Sequence, residues 1–227
     1  MEIELCIRSA EKDDVPFLAW VMLEAAHSGH DIGLWEVMVP DSENEKLQFI
    51  EELAQAGTKS LCHYSNFLMA EVNGEPAAAL AGYDSSKITR QQFAMALHDV
   101  QSKLHWGFKR VEEARCQTSA FLGCFPDFSD NSWIIEWVAT KNEFRRMGLM
   151  EILLHRMIRI GYESTACDVF QISYAIGNDP AINAYRKLGF NFIDEKRDNN
   201  FADKFGYPGI GRMQMTREQV QKEFIDV

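Results

Sequence analysis

WIIEWVATKNEFRRMGLMEILLHRMIRI, Trp133–Ile160, joins three elements whose order decides the fold. Its first part is apolar apart from Glu136 and reads as a buried strand. KNEFRRMG follows as a basic loop with one glycine. From there Leu149, Ile152, Leu153, Met157 and Ile160 recur at three- and four-residue spacing, so one face of a helix meets a core. The first N–H groups of a helix have no intrahelical partner, and the helix dipole adds positive potential there. A strand, loop and helix in this order therefore build an anion site. Gly148 stands where the backbone turns sharply or approaches a phosphate, and Arg145 and Arg146 supply charge-assisted contacts. The same residues alone also fit an ordinary exposed helix start. There is no GKS/T and no GxGxxG, which argues against a P-loop hydrolase and a dinucleotide fold.

Strands and helices intermix on either side of this segment. Ile3, Leu5 and Ile7 alternate with polar residues as in a strand, and DDVPFLAWVMLEAAHSG predicts a helix capped by Asp13 or Asp14. A second helix is expected from about Ser42 to Ala56. NFLMAEVNGEPAAALAGYD predicts a hairpin turning at Asn73 and Gly74. Between Asp84 and about Asn131 lie one long helix, TRQQFAMALHDVQSKLHWGFKRVEEA, and the Phe-rich FLGCFPDFSD. The aromatics of this segment fit either core packing under a loop or the wall or lid of a substrate pocket. Asp168–Ile176 reads as a strand, and a short helix starts near Pro180 and stops at Gly189. NFIDEKRD and GIGRMQMT give two further strands joined by a loop. The pattern is α/β, organised on a central sheet.

The 227 residues, 46% of them hydrophobic, suffice for a full core, and one domain with an insertion at about 85–131 is the leading count, with two domains left open. A net charge of −11 argues against nonspecific nucleic-acid binding and tolerates cationic ligands. It does not oppose a polyanionic cofactor held locally, because remote charges are screened within about 8–10 Å. No apolar run approaches the roughly 20 residues of a membrane span, and MEIELCIRSAEKDD lacks the regions of a signal peptide, so a cytoplasmic protein with no membrane partner is expected. Five cysteines without a CxxC pair fit reduced thiols. His27, His30 and Asp31 form the sole compact metal-like set and read as solvated helix-end residues, so no metal is expected.

VATKNEFRRMGL together with NDPAINAYRKLGF, Asn178–Phe190, resembles the GNAT superfamily of N-acetyltransferases. The family's loop pattern is Arg/Gln-x-x-Gly-x-Gly/Ala, here Arg145 to Met150. Its second pattern places an asparagine, an alanine, a tyrosine and Gly-Phe at the spacing of Asn178, Ala181, Tyr185, Gly189 and Phe190. The resemblance is loose over Ile3–Thr216 and specific over Trp133–Phe190. It implies a GNAT fold, a central mixed, mostly antiparallel sheet flanked by helices, and acetyl-coenzyme A as co-substrate. By that likeness the backbone of Trp137, Val138, Ala139 and Thr140 pairs with the pantetheine arm, and Arg145, Arg146, Met147, Gly148, Leu149, Met150 and Glu151 form the pyrophosphate loop. Asn178 then bonds the pantetheine, and Tyr185 stands near the thioester sulfur as general acid. Met150 departs from the pattern, and its larger side chain implies tighter packing.

The resemblance implies direct transfer of acetyl to a primary amine in a ternary complex. The thiolate leaving group has a conjugate-acid pKa near about 8.5, so a nearby phenol eases its departure. Tyr185 also fits a helix aromatic packed on Ala181 and Leu188. The attacking amine must lose a proton. Glu136, two residues before Val138 and expected on its face, is the carboxylate candidate for base or amine anchor, although a structural glutamate fits equally. The position on the next strand where some relatives carry a base falls near Ser173, which is not acidic. Acceptors expected are a small-molecule amine or a peptide amine, with a homodimer left open. Transfer of a longer acyl group and a non-catalytic coenzyme A sensor are the alternatives.

Overall fold

The computed structural model describes residues 3–226 and contains a seven-stranded sheet. The strands are β1 (Leu5–Ser9), β2 (Phe67–Val72), β3 (Glu75–Asp84), β4 (Ser132–Thr140), β5 (Val169–Ala175), β6 (Asn191–Arg197) and β7 (Gly209–Thr216), in spatial order β1-β2-β3-β4-β5-β7-β6. Only β4 and β5 run parallel. The β2–β3 hairpin turns at Asn73 and Gly74, whose φ values of 51° and 79° are those of the expected tight turn.

Period-two alternation divides the strand side chains between two cores. Phe67 and Met69 of β2 with Ala79 and Ala81 of β3 face α1 (Val15–His27), α2 (Leu34–Met38), α3 (Glu43–Ala54), α4 (Arg90–Lys103), α5 (Phe108–Gly123) and α8 (Asn199–Phe205). Leu68 and Ala70, Trp133 and Ile135, and Phe170 and Ile172 face α6 (Leu149–Ser164), α7 (Asp179–Lys187) and the short α9 (Arg217–Val220). The opening segment thus forms β4 and α6; of the five residues expected on the core face Leu149, Leu153 and Met157 are buried and Ile160 is partly so, whereas Ile152 is 39% exposed because it falls at the edge of the apolar stripe.

Several local expectations are corrected. The single long helix after Asp84 is two helices: His105 takes φ 56°, Trp106 turns inward to stack on Phe49 at 5.0 Å, and Gly107 caps the restart. The β6–β7 connection contains α8, capped by Asp198, whose side chain accepts the Phe201 N–H at 2.8 Å, and stopped by Gly206 at φ 78°. Asp14 does not cap α1 through its side chain. Its carboxylate accepts the Glu11 N–H at 2.7 Å and holds Arg8 at 2.6 Å, tying β1 to the turn before α1. The His27 ring is not a solvated helix end either. Its Nε2 lies 3.1 Å from Glu36, which also pairs with Lys46 at 3.4 Å. His30 stacks on Tyr207 at 4.3 Å. Among the described residues no cluster of side chains has the makings of a metal site.

Candidate active site

β4 and β5 pair from Ser132/Val169 to Ile135/Ile172 and no further. Beyond Ile135 the β5-facing edge of β4 has no partner strand, while its other edge stays paired to β3 as far as Thr140/Ala78. The backbone of residues 136–140 is therefore free on one side, and an extended ligand carrying amides can satisfy it. A cavity of about 1160 Å³ occupies this opening.

Within the same stretch β4 carries a bulge. Ala81 pairs with Glu136 and Ala79 with Ala139, so three steps on β4 answer two on β3, and Trp137 at φ 56° is the extra residue. Glu136 consequently shares the α1 face with Ala81, and Trp137 joins it there, stacked on Trp35 at 5.7 Å. Val138 packs on the opposite, α6 side. The expectation that Glu136 and Val138 share a face fails because simple alternation does not survive an inserted residue.

The loop from Lys141 reaches α6 through two residues in the left-handed region, Arg146 at φ 68° and Gly148 at φ 74°. Gly148 is the N-cap, and no atom lies within 4 Å of where its Cβ would stand, so the approach to the first α6 amides is open. Arg145 donates to the Thr140 carbonyl at 3.4 Å and, with Arg146, keeps its guanidinium at the exposed loop. Met150 is half-buried against the α6 core, and Ile152 N–H bonds Gly148 at 3.2 Å, so the larger side chain leaves the helix start in place. Arginines, helix amides, an open glycine and a free strand edge match the pyrophosphate and pantetheine of coenzyme A in kind and order.

Asn178 caps α7. Its Oδ1 accepts the Ala181 N–H at 3.2 Å, and its Nδ2 donates to the Ser28 carbonyl at 3.1 Å, fastening α7 to the end of α1. Tyr185, one helical face further on, is buried beside Phe190, with ring centroids 6.3 Å apart, and also lines the cavity. Burial alone pushes its hydroxyl above the ordinary tyrosine value of 10.0, so it is a proton-bearing phenol at neutral pH. Of the residues singled out from the sequence, Glu136–Thr140, Arg145, Arg146, Gly148–Glu151, Asn178 and Tyr185 all line this one cavity. Met147 does not. That residue is 37% exposed.

Two polar neighbours of Glu136 escaped the sequence reading. The Tyr83 hydroxyl donates to Glu136 Oε2 at 3.0 Å. Arg212, fully buried on β7 directly opposite Ser173, adds positive potential, and its guanidinium stacks on the Phe128 ring at 4.2 Å and donates to Gln171 at 3.5 Å. Burial pushes the Glu136 carboxyl up, and the charge on Arg212 and the Tyr83 hydrogen bond pull it part of the way back. Ser173 lines the cavity with its hydroxyl unpartnered. The buried Tyr83 and Arg212 come from strands flanking the β4–β5 pair, and only sheet register brings them to Glu136.

Fold and cavity together define a mixed α/β protein whose central sheet parts between β4 and β5 over one continuous cavity. The chain belongs to the acetyltransferase (GNAT) family, whose model matches residues 34–190. It is similar to an N-alpha-acetyltransferase of Sulfurisphaera tokodaii, 23% identical over 137 residues that span 60% of this chain and 62% of that protein's length. Among solved structures, one described as an acetyltransferase superposes with a TM-score of 0.67 at 19% identity, covering 93% of this chain and 98% of its own. An N-acetyltransferase from Staphylococcus aureus Mu50 gives 0.60 at 16% identity, covering 92% and 100%. These likenesses show the fold. No helix among the described residues is long and apolar enough to cross a membrane.

Proposed function

We propose that this chain is a single-domain cytoplasmic N-acetyltransferase, with residues of about 85–131 as an insertion, that moves acetyl from acetyl-coenzyme A to a primary amine by direct attack in a ternary complex. The observation that carries this reading is the continuity of the cavity through the parted sheet. The α6 loop and Tyr185 lie on one face and Glu136 on the other, all lining one space. A cofactor entering along β4 from the α6 side and an amine arriving from the α1 side meet where β4 and β5 separate.

In this reading the amine nitrogen attacks the thioester carbonyl, forming the C–N bond. The tetrahedral intermediate collapses by breaking C–S, the departing sulfur takes the Tyr185 proton, and the second proton of the attacking nitrogen leaves to solvent, which restores the Tyr185 hydroxyl. Glu136 anchors the incoming ammonium and takes its proton before attack, passing it to solvent. The backbone of Trp137, Val138, Ala139 and Thr140 aligns the pantetheine, and the amides from Arg146 to Glu151 hold the pyrophosphate. Asn178, on the cavity lining, bonds the pantetheine and, as the α7 cap, sets the helix that delivers Tyr185. No residue becomes acetylated, because attack on the thioester is direct.

The test is release of free thiol from acetyl-coenzyme A over a panel of amines, amino acids and peptides, with the acetylated product identified by mass. Turnover that requires the acceptor supports the reading. Cofactor binding with no acceptor acetylated overturns it in favour of a coenzyme A sensor.

A further inference from the structure

The half of the cavity on the α1 face is walled by the α4–α5 insertion. Phe93 and Leu97 of α4, Val111 and Phe121 of α5, and Phe128 of the following loop line it, and all are apolar. Phe125, which also lines the cavity, packs beside Phe121 at 5.3 Å, and Phe201 and Phe205, which do not, support Phe121 at 5.7 and 5.2 Å. Three carboxylates line the whole cavity: Glu24, Glu136 and Glu151. Glu151 is in the first turn of α6 on the cofactor side, and Glu24 is a 40% exposed side chain beside His27. Glu136 is left as the one anion at the junction of the sheet. Two arginines also line the insertion side, Arg90 and Arg115, each already held by its own acid, Asp127 at 3.2 Å and Glu112 at 2.8 Å.

From this distribution we infer that the acceptor is a small monoamine with a bulky apolar or aromatic body, its ammonium at Glu136 and its body against Phe93, Leu97 and Phe121. The inference rests on the acetyltransferase reading and narrows its substrate. A protein of net charge −11 has acidic surface to spare for polycations, yet the insertion wall contributes no carboxylate to the cavity lining, and its two arginines are already paired. A second ammonium set against this wall finds no carboxylate among its lining residues, only hydrocarbon, the paired arginines, Gln101 and Thr118, and loses hydration without a counter-charge. An acyl tail in the same space has no use for Glu136, whereas an ammonium does.

The experiment measures kcat/KM with acetyl-coenzyme A for 2-phenylethylamine, spermidine and a short peptide beginning with phenylalanine, and binding of the same amines to the protein loaded with unacylated coenzyme A. Expected is a preference for 2-phenylethylamine over spermidine of about tenfold or more, the scale on which apolar pockets discriminate. Ala94→Phe, at a wall position outside the buried core, should lower kcat/KM for 2-phenylethylamine at least about fivefold while sparing ethylamine. Leu97→Asp should shift the preference about tenfold toward spermidine by adding a second anion. Preference for spermidine or the peptide in the native protein overturns the inference and leaves the acetyltransferase reading standing. Faster turnover of hexanoyl-coenzyme A, lost in Ala94→Phe, also overturns it by assigning the chamber to the acyl chain. Binding of 2-phenylethylamine without acetylation of any amine removes the acetyltransferase reading and overturns the acceptor role with it, leaving an amine-binding chamber. Absence of both binding and turnover with 2-phenylethylamine overturns the inference.

Discussion

Glu136 and Val138, two positions apart on β4, point to opposite faces of the sheet because Trp137 between them holds φ 56° and adds a residue to the strand. The bulge turns a carboxylate toward the α1 side at the level where β4 and β5 part, and it leaves Val138 on the α6 side. A tryptophan in the left-handed region bears a conformational cost that glycine does not. Trp137→Gly and Trp137→Ala both lose the stack on Trp35, so their difference isolates the backbone. The glycine variant should be the more stable by about 1 kcal/mol in urea unfolding. An alanine variant of equal or greater stability would mean that the bulge is absent in solution.

Replacing Tyr185 by phenylalanine removes the phenol and keeps the ring that packs beside Phe190. A drop in kcat of about 10²-fold or more, with KM for acetyl-coenzyme A little changed, is expected if the hydroxyl protonates the leaving thiolate. Burial raises this hydroxyl above 10.0, so Tyr185 stays protonated through the neutral and mildly alkaline range and contributes no alkaline fall in kcat below that pH. Steady-state rates that are the same for both proteins across pH remove Tyr185 from the chemistry.

The parts of the site that the sequence exposed are local in the chain. Arg145, Arg146 and Gly148 stand out from the loop's own residues, Asn178 and Tyr185 through their likeness to the family pattern, and all five line the same cavity. The helix α8 was also legible in principle, from Asp198 as a cap and Gly206 as a stop, but seven residues are too few for a clear apolar period. Other features had no local signal. Nothing about Trp137 announces a positive φ, and the break at His105 depends on Trp106 finding Phe49. The environment of Glu136 is assembled from β3 and β7, 53 residues before it in the case of Tyr83, through strand register alone.

Glu136 acts as a base only when ionised. Burial raises its carboxyl above the ordinary 4.5, with Arg212 and Tyr83 opposing that rise, so kcat/KM should fall as pH drops through an inflection above 4.5. Glu136→Gln should abolish that limb and lower kcat/KM by about 10²-fold near neutral pH. Retention of the same acid limb in the glutamine variant assigns it to another group, the amine substrate included.

Gly148 caps α6 with φ 74° and faces open space. Alanine there forces a side chain into the left-handed region and places a methyl group where the cofactor's phosphates approach the helix amides. Gly148→Ala is expected to cost about 1 kcal/mol of stability and to raise KM for acetyl-coenzyme A more than it lowers kcat. Equal KM values in the two proteins would move the pyrophosphate site away from this loop.

His27 and Glu36 give the fold a pH window. The contact with the Glu36 carboxylate raises His27 above 6.5, against the opposing effect of burial. Burial pushes Glu36 up, but His27 and the Gly33 N–H outweigh it and bring the carboxyl down to about 2. A raised histidine contributes stability in full below its unfolded value of 6.5 and loses it as pH rises through the folded value. A depressed carboxyl contributes above 4.5 and loses it as pH falls toward about 2. Both contributions coincide between 4.5 and 6.5. His27→Gln should therefore cost about 1 kcal/mol near pH 5.5 and distinctly less near pH 8.5, measured as the difference in unfolding free energy from the native protein. Because Ser28, the next residue, receives the Asn178 side chain, the same variant should also raise KM for acetyl-coenzyme A in the acidic range. A cost that is flat with pH would show that the ring stabilises by packing and not by its charge.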